Sequence, residues 1–137
     1  MALNDSERFE MLNEILDSLQ ERAEGRIILV EGKKDVTSLH NLNIRADVLC
    51  IQRDGGPLRA AEILSEMGKE GIILTDWDSR GDRLAADLEH HLTYMCVAFD
   101  KDIRERLRDV CIKDIKDIES LDSLYKRLEN SYNNDKA

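Results

Sequence analysis

Four short apolar runs, separated by segments with helical periodicity, constrain the fold of this 137-residue chain more than any other feature. The runs are rich in Ile, Leu, Val and Cys, which is typical of strands that are buried on both faces of a sheet. They span residues 26–30, 47–51, 71–75 and 94–98. Such strands require helices on both sides of the sheet, so the runs predict a layered α/β fold.

Helix-like segments lie between the runs, at residues 35–42, 57–67 and 81–91. Pro57 stands at the start of the second segment, where a missing backbone N–H breaks no helical hydrogen bond. The regular alternation of strand and helix predicts a four-stranded parallel sheet flanked by helices, with a Rossmann-like architecture.

Further helices are predicted before and after this core, which spans residues 26–99. Residues 1–25 carry apolar side chains at helical spacing and form either a helix packed on the domain or a dimerisation helix. Residues 100–130 form a helical extension, whose connecting stretch 111–119 matches neither helix nor strand clearly. Residues 131–137 are expected to be a frayed tail.

Composition argues against several classes of protein. The net charge of −9 disfavours a protein that coats nucleic acid, because such proteins neutralise phosphates with Lys and Arg. Cys50, Cys96 and Cys111 form no C-x-x-C pair, and we expect them to be reduced. No apolar stretch is long enough for a membrane span or suited to secretion. We therefore expect a cytoplasmic protein.

Acidic residues follow two of the predicted strands at the point where each strand ends. Glu31 follows the first run, and Asp76 and Asp78 follow the third. Ligands of parallel α/β sheets bind at the carboxyl ends of the strands, so these side chains are candidates for a functional site. If strand geometry continues through Trp77, Asp76 and Asp78 point the same way and the three carboxylates converge. A hard cation such as Mg²⁺ would relieve their repulsion, so the pattern predicts a magnesium site.

Positive charge and glycine gather around the same strand ends. Backbone amides in a glycine turn can cradle a phosphate, and nearby cations can stabilise its charge. The candidate phosphate-binding residues are Lys33, Lys34, Arg53, Gly55, Gly56 and Arg80. Two alternatives stay open, a tight turn before a helix at residues 53–57 and ordinary solvated charges elsewhere. Gly32 and Gly81 would let the backbone approach a metal or a phosphate closely.

The order and spacing of two motifs resemble those of the Toprim domain. The motif E-G-x-x-D at residues 31–35 follows one apolar strand, and D-x-D-x-x-G at residues 76–81 follows another. The Toprim family includes topoisomerases, bacterial-type primases, RecR-type recombination proteins, old-family nucleases and the ribonuclease that matures 5S ribosomal RNA. The resemblance spans residues 26–98. It is greatest to small standalone archaeal and bacterial members and to the 5S maturation ribonuclease.

This resemblance implies a role for each residue that matches a motif. Glu31 corresponds to the glutamate that acts as a general acid or base and also lies near the metal. Asp76 and Asp78 correspond to the paired aspartates that coordinate Mg²⁺. The supporting residues would be Asp35, Gly32, Gly81 and Asp82.

Two functions are compatible with these features. The first is magnesium-dependent, nuclease-like phosphoryl transfer on the phosphodiesters of RNA or DNA, which would make the chain an enzyme. The second is a noncatalytic module that uses its metal to bind nucleic acid, a nucleotide or a protein partner, and the charge of −9 favours it. In both cases we expect the chain to bind nucleic acid weakly on its own. A homodimer stays open, and no membrane partner is expected.

Overall fold

A four-stranded parallel sheet flanked by six helices forms the part of the chain, residues 3–136, that this computed structural model describes. The strand order is β2-β1-β3-β4. Along the chain the elements are α1 (Asp5–Arg22), β1 (Arg26–Val30), α2 (Lys33–Asn41), β2 (Asp47–Cys50), α3 (Pro57–Met67), β3 (Glu70–Ile73), α4 (Ser79–Tyr94), β4 (Phe99–Asp100), α5 (Asp102–Cys111) and α6 (Leu121–Lys136). The predicted α/β class with a parallel sheet is therefore confirmed, and the architecture is Rossmann-like.

The central strand β1 pairs in parallel with β2 on one edge and with β3 on the other. Successive side chains of a strand point to opposite faces, and both faces of β1 are buried. Ile28 and Val30 belong to the core formed with α1, α2, α5 and α6, whereas Ile27 and Leu29 belong to the core formed with α3 and α4. An apolar run without polar alternation is therefore what this position in the sheet requires.

The fourth strand differs from its prediction at residues 94–98. The preceding helix α4 extends through Tyr94, and the strand itself is only Phe99–Asp100. Cys96 has a φ of 58°, and the amide of Val97 donates to the carbonyl of Leu92 at 2.9 Å. The apolar residues in this run thus close a helix, because periodicity over so few residues does not distinguish a helix end from a strand.

The two terminal helices, α1 and α6, pack against each other on the face of the sheet that carries Ile28 and Val30. In α1, Leu12 and Leu19 are fully buried, so this helix is part of the domain. The sequence predicted that the last helix ends at residue 130 and that residues 131–137 fray. In the structure α6 continues through Lys136, because the ring of Tyr132 packs on Phe9 with centroids 4.9 Å apart. Residues 1, 2 and 137 lie outside the described part.

A buried arginine ties α1 to the connecting stretch that the sequence left untyped. Arg8 is 4% exposed, and its Nε and Nη2 donate to the carbonyl of Val110 at 3.1 and 2.9 Å. Arg8 also forms an ion pair with Asp114, and Arg127 from α6 reaches the same carboxylate at 3.1 Å. Asp114 thus joins the connecting stretch to both α1 and α6.

Among residues 3–136, no helix combines the length and apolar character that crossing a bilayer would require.

We predict that α6 folds cooperatively with the sheet rather than as a separate extension. Leu128 is completely buried between α6 and the core, so Leu128→Ala should lower the free energy of unfolding by about 2–5 kcal/mol. The exposed neighbour Lys126 provides the control, since Lys126→Ala should change it by less than about 0.5 kcal/mol. Urea unfolding followed by circular dichroism measures both. A second, separate transition in either variant would contradict the prediction.

Candidate functional site

The structure brings Glu31 and Asp76 together at the carboxyl edge of the sheet. Glu31 directly follows β1 and Asp76 follows β3, and these two strands are neighbours. The backbone amide of Asp76 donates to Glu31 Oε2 at 2.8 Å. Glu31 is only 6% exposed, so its carboxylate lies between the strand ends rather than in solvent. This pair forms the centre of the candidate site.

A third carboxylate, that of Asp35, lies close enough to affect the pair. Asp35 is in the first turn of α2, is 5% exposed and accepts from the Gly32 amide at 3.1 Å. Burial raises the pKa of Asp35, and the charge of Glu31 adds to that rise. The predicted supporting residue Asp35 is thus part of an acidic cluster with buried Glu31 and half-buried Asp76.

The cluster strongly disfavours the charged form of Asp76. Burial, together with the neighbouring carboxylates of Glu31 and Asp35, raises the pKa of Asp76 to about 8. The amide of Ile118, which donates to Asp76 Oδ1 at 3.0 Å, acts in the opposite direction. Backbone donors therefore orient the carboxylate but do not supply the positive charge that would keep it ionised.

Asp78 has a different position from the one that strand geometry predicted. The strand β3 ends at Ile73, and the buried Trp77 donates from its amide to Lys116 O at 2.9 Å and from Nε1 to Ile115 O at 2.8 Å. These bonds turn the chain, so Asp78 is exposed and caps α4, accepting from the Gly81 amide at 2.7 Å. Its assignment as a metal ligand stays a prediction.

The expected convergence of Glu31, Asp76 and Asp78 is not found. Within residues 3–136, no group of three or more His, Cys, Asp or Glu side chains is arranged so that it could hold a metal ion. What the fold brings together instead is the pair Glu31 and Asp76, with Asp35 beside it.

Gly81 is required by the path of the chain beside Asp76. A Cβ atom at Gly81 would lie 1.8 Å from the carbonyl oxygen of Asp76, and Thr75 Oγ1 donates to the Gly81 carbonyl at 2.8 Å. The glycine thus permits close contact between the first turn of α4 and the Asp76 backbone, where the sequence predicted an approach to a metal or phosphate. At Gly32, a Cβ would meet only Gln52 Oε1, at an ordinary 3.5 Å.

Arg104 is the functional candidate that sequence reasoning missed. Its guanidinium, from α5, donates to Thr75 O at 3.0 Å, to Asp76 O at 2.5 Å and to Asp82 Oδ1 at 2.7 Å. Asp82, predicted as a supporting residue, therefore pairs with this arginine. The signal was present in the sequence, because Arg104 lies three residues before the buried Leu107 and so shares its helical face.

The predicted cations at the α2 and α4 starts lie on the surface of the site. Lys33 and Arg80 are exposed. Lys34 is 80% exposed, and its Nζ lies 3.6 Å from a carboxylate oxygen of Glu119. All three surround the carboxyl edge, and their role in phosphate binding stays a prediction.

The turn after β2 has the geometry that its glycines indicated. Gly55 and Gly56 have φ values of 105° and 92°, a region that favours glycine. The Gly56 amide donates to Ile51 O at 2.9 Å, and Arg53 pairs with Asp54 at 3.3 Å. The tight turn before a helix is therefore present, and a phosphate cradle at this turn stays a prediction.

Fold and site together define a Rossmann-like α/β protein with buried carboxylates at the carboxyl edge of its parallel sheet. No family model matches the chain. A UPF0292 protein of Pyrococcus horikoshii is 39% identical over 128 residues, which cover 93% of this chain and 92% of that protein. One of Methanosarcina barkeri is 39% identical over 115 residues, covering 83% and 80%. The chain belongs to the UPF0292 family.

A solved structure supports the same fold. It is described as a putative protein from Aquifex aeolicus and superimposes with a TM-score of 0.68 at 26% sequence identity. The similarity covers 80% of this chain and 96% of that one.

Gly81→Ala should displace the segment that carries Asp76. Because the new methyl group would overlap backbone atoms that cannot rotate away, we expect a loss of at least about 1–3 kcal/mol in the free energy of unfolding. Gly32→Ala is the control and should lose no more than about 1 kcal/mol, the cost of alanine at a helix N-cap. Equal losses measured by urea unfolding would argue against the close contact.

The stability of the protein should depend on pH through Asp76. A carboxyl group whose pKa is 3.8 when unfolded and about 8 when folded binds its proton more tightly in the folded state. The wild type should therefore lose stability relative to Asp76→Asn as the pH rises from about 4 to about 8, and the difference should level off above that. Urea unfolding of both proteins across this range measures it. Parallel stability curves would contradict the assigned shift.

Proposed function

We propose that this protein is a Toprim-type, magnesium-dependent protein that carries out nuclease-like phosphoryl transfer on nucleic-acid phosphodiesters in the cytoplasm. The observation that carries the proposal is the pairing of buried Glu31 with half-buried Asp76, whose backbone amide donates to Glu31 Oε2 at 2.8 Å at the ends of adjacent parallel strands. In this pair, burial and like charge raise the pKa of Asp76 to about 8. Such a cluster is the environment that a divalent cation stabilises.

The donor set fits magnesium. Mg²⁺ prefers oxygen ligands, keeps several waters and often takes only one or two carboxylates together with substrate phosphates. The Asp76 and Ile118 amides engage Glu31 Oε2 and Asp76 Oδ1, so the ligands that we propose are Glu31 Oε1 and Asp76 Oδ2. The Toprim resemblance adds Asp78, through the oxygen that does not cap α4. When bound, the cation would withdraw charge from a phosphodiester oxygen.

Residues of the protein would carry out proton transfer and hold the substrate. Glu31 would take a proton from the attacking oxygen or return one to the leaving oxygen, because it lies at the strand end beside the proposed cation. Lys33 and Arg80, exposed at the starts of α2 and α4, would hold the nucleic-acid backbone against the site. Both RNA and DNA contain the phosphodiester on which these residues would act.

A noncatalytic binding module is the second candidate, and the pairing of the site's cations favours it. Lys34 lies against Glu119 and Arg53 against Asp54, so part of the local positive charge is neutralised within the protein. The net charge of −9 further weakens attraction to polyanions. In this form the metal would dock a nucleic acid, a nucleotide or a protein partner without turnover.

Magnesium should stabilise the wild type and support cleavage. At a Mg²⁺ concentration of about 100 times its Kd, binding should add about 2.7 kcal/mol to the free energy of unfolding and raise the Tm. Asp76→Asn and Glu31→Gln should lose most of this shift and all cleavage of structured RNA and single-stranded DNA. Asp87→Asn, an exposed position on α4, is the matched control and should behave as the wild type.

The combined readout separates the two candidate functions. If Mg²⁺ does not raise the Tm of the wild type, the proposed metal site is wrong, and so are both functions that depend on it. A metal-dependent Tm shift with intact RNA and DNA, together with a further shift on adding polynucleotide, would support the binding module instead of the nuclease.

A further inference from the structure

The side chain of Arg104 enters the site from α5, outside the segment that resembles the Toprim domain. This side chain is 9% exposed, and its three acceptors lie between the end of β3 and the first turn of α4. Two of them are consecutive backbone carbonyls, those of Thr75 and Asp76. The third is the carboxylate of Asp82, which balances the charge of the guanidinium.

These contacts bind the Thr75–Asp76 backbone, which lies beyond the hydrogen-bonded strands of the sheet. β3 ends at Ile73, so the carbonyls of Thr75 and Asp76 lie beyond the last residues of the strand. Buried carbonyls require donors, and the planar guanidinium presents several N–H groups in a fixed fork that spans adjacent acceptors. With the Asp76 carbonyl held on one side, the Asp76 amide is directed at Glu31 and its carboxylate at the Ile118 amide.

We propose that Arg104 is a positioning residue for the carboxylate site, which it serves by fixing the Thr75–Asp76 backbone so that Asp76 faces Glu31. Its link to metal binding rests on the proposed function, whereas its hold on the Asp76 backbone does not. Arg104 touches neither proposed ligand oxygen, so its effect passes through the Asp76 main chain.

Arg8 supplies an internal comparison for a purely structural arginine. It is 4% exposed, donates twice to one backbone carbonyl, that of Val110, and pairs with Asp114. These contacts resemble those of Arg104 in kind, but they reach no residue of the carboxylate site. Loss of either arginine should therefore lower stability, and only loss of Arg104 should disturb the site.

The test compares Arg104→Gln, Arg104→Lys and Arg8→Gln in the full chain. Mn²⁺ binding, followed by electron paramagnetic resonance, should weaken roughly 10- to 100-fold in Arg104→Gln, the range for groups that orient metal ligands. Arg104→Lys keeps the charge but not the fork, so its affinity should be intermediate. Arg8→Gln should bind Mn²⁺ as the wild type does.

Amide hydrogen exchange gives a readout that needs no metal. In Arg104→Gln, the amides of Asp76 and Ile118 should lose protection relative to the amides of β1, which report global opening. In Arg8→Gln they should keep the wild-type ratio. Arg104→Lys provides the same comparison if the glutamine variant does not fold.

The outcomes for the two proposals are distinct. Asp76 and Ile118 amides that stay as protected in the Arg104 variants as in Arg8→Gln would overturn the positioning role, whatever the metal does. A wild type that binds no Mn²⁺ would overturn the metal site, while loss of amide protection in the Arg104 variants would still support the positioning of Asp76.

Discussion

The burial of β1 on both faces is the constraint on which the rest of the structure depends. Residues 27–30 lie in the middle of the sheet with helices above and below, so none of them can be polar. Polar side chains can therefore lie only at the two ends of this strand, with Arg26 at its start and Glu31 directly after its carboxyl end. At the carboxyl edge, the chain that follows the neighbouring strand β3 also places Asp76.

At that edge, backbone amides position the carboxylates without neutralising them. Glu31, Asp76 and Asp78 each accept from a main-chain N–H, those of Asp76, Ile118 and Gly81 respectively. Such bonds lower the cost of burial and fix orientation, but they add no net positive charge. Burial and the neighbouring charges of Glu31 and Asp35 therefore raise the pKa of Asp76 to about 8, and a bound cation would lower it.

The C-terminal segment completes the site rather than extending the fold. It supplies Arg104 to the Thr75 and Asp76 carbonyls, the Ile118 amide to the Asp76 carboxylate, and the Ile115 carbonyl to Trp77. The same segment is tied to α1 through Arg8 and to α6 through the ion pair of Asp114 with Arg127. The carboxylate-bearing edge of residues 26–99 therefore depends on contacts from residues outside that range.

The sequence by itself determined the α/β class, the parallel sheet and the meeting of Glu31 with Asp76. Apolar runs and helical spacing are local properties, and the carboxyl ends of adjacent parallel strands must lie together. Pro57 likewise marks the start of α3 within the chain itself. Only the tertiary structure decided that Asp78 caps a helix, that Gly81 faces the Asp76 carbonyl and that Arg104 holds the turn. The bonds from Trp77 to residues 115 and 116 bend the chain after β3, and contacts between such distant segments leave no periodic signal.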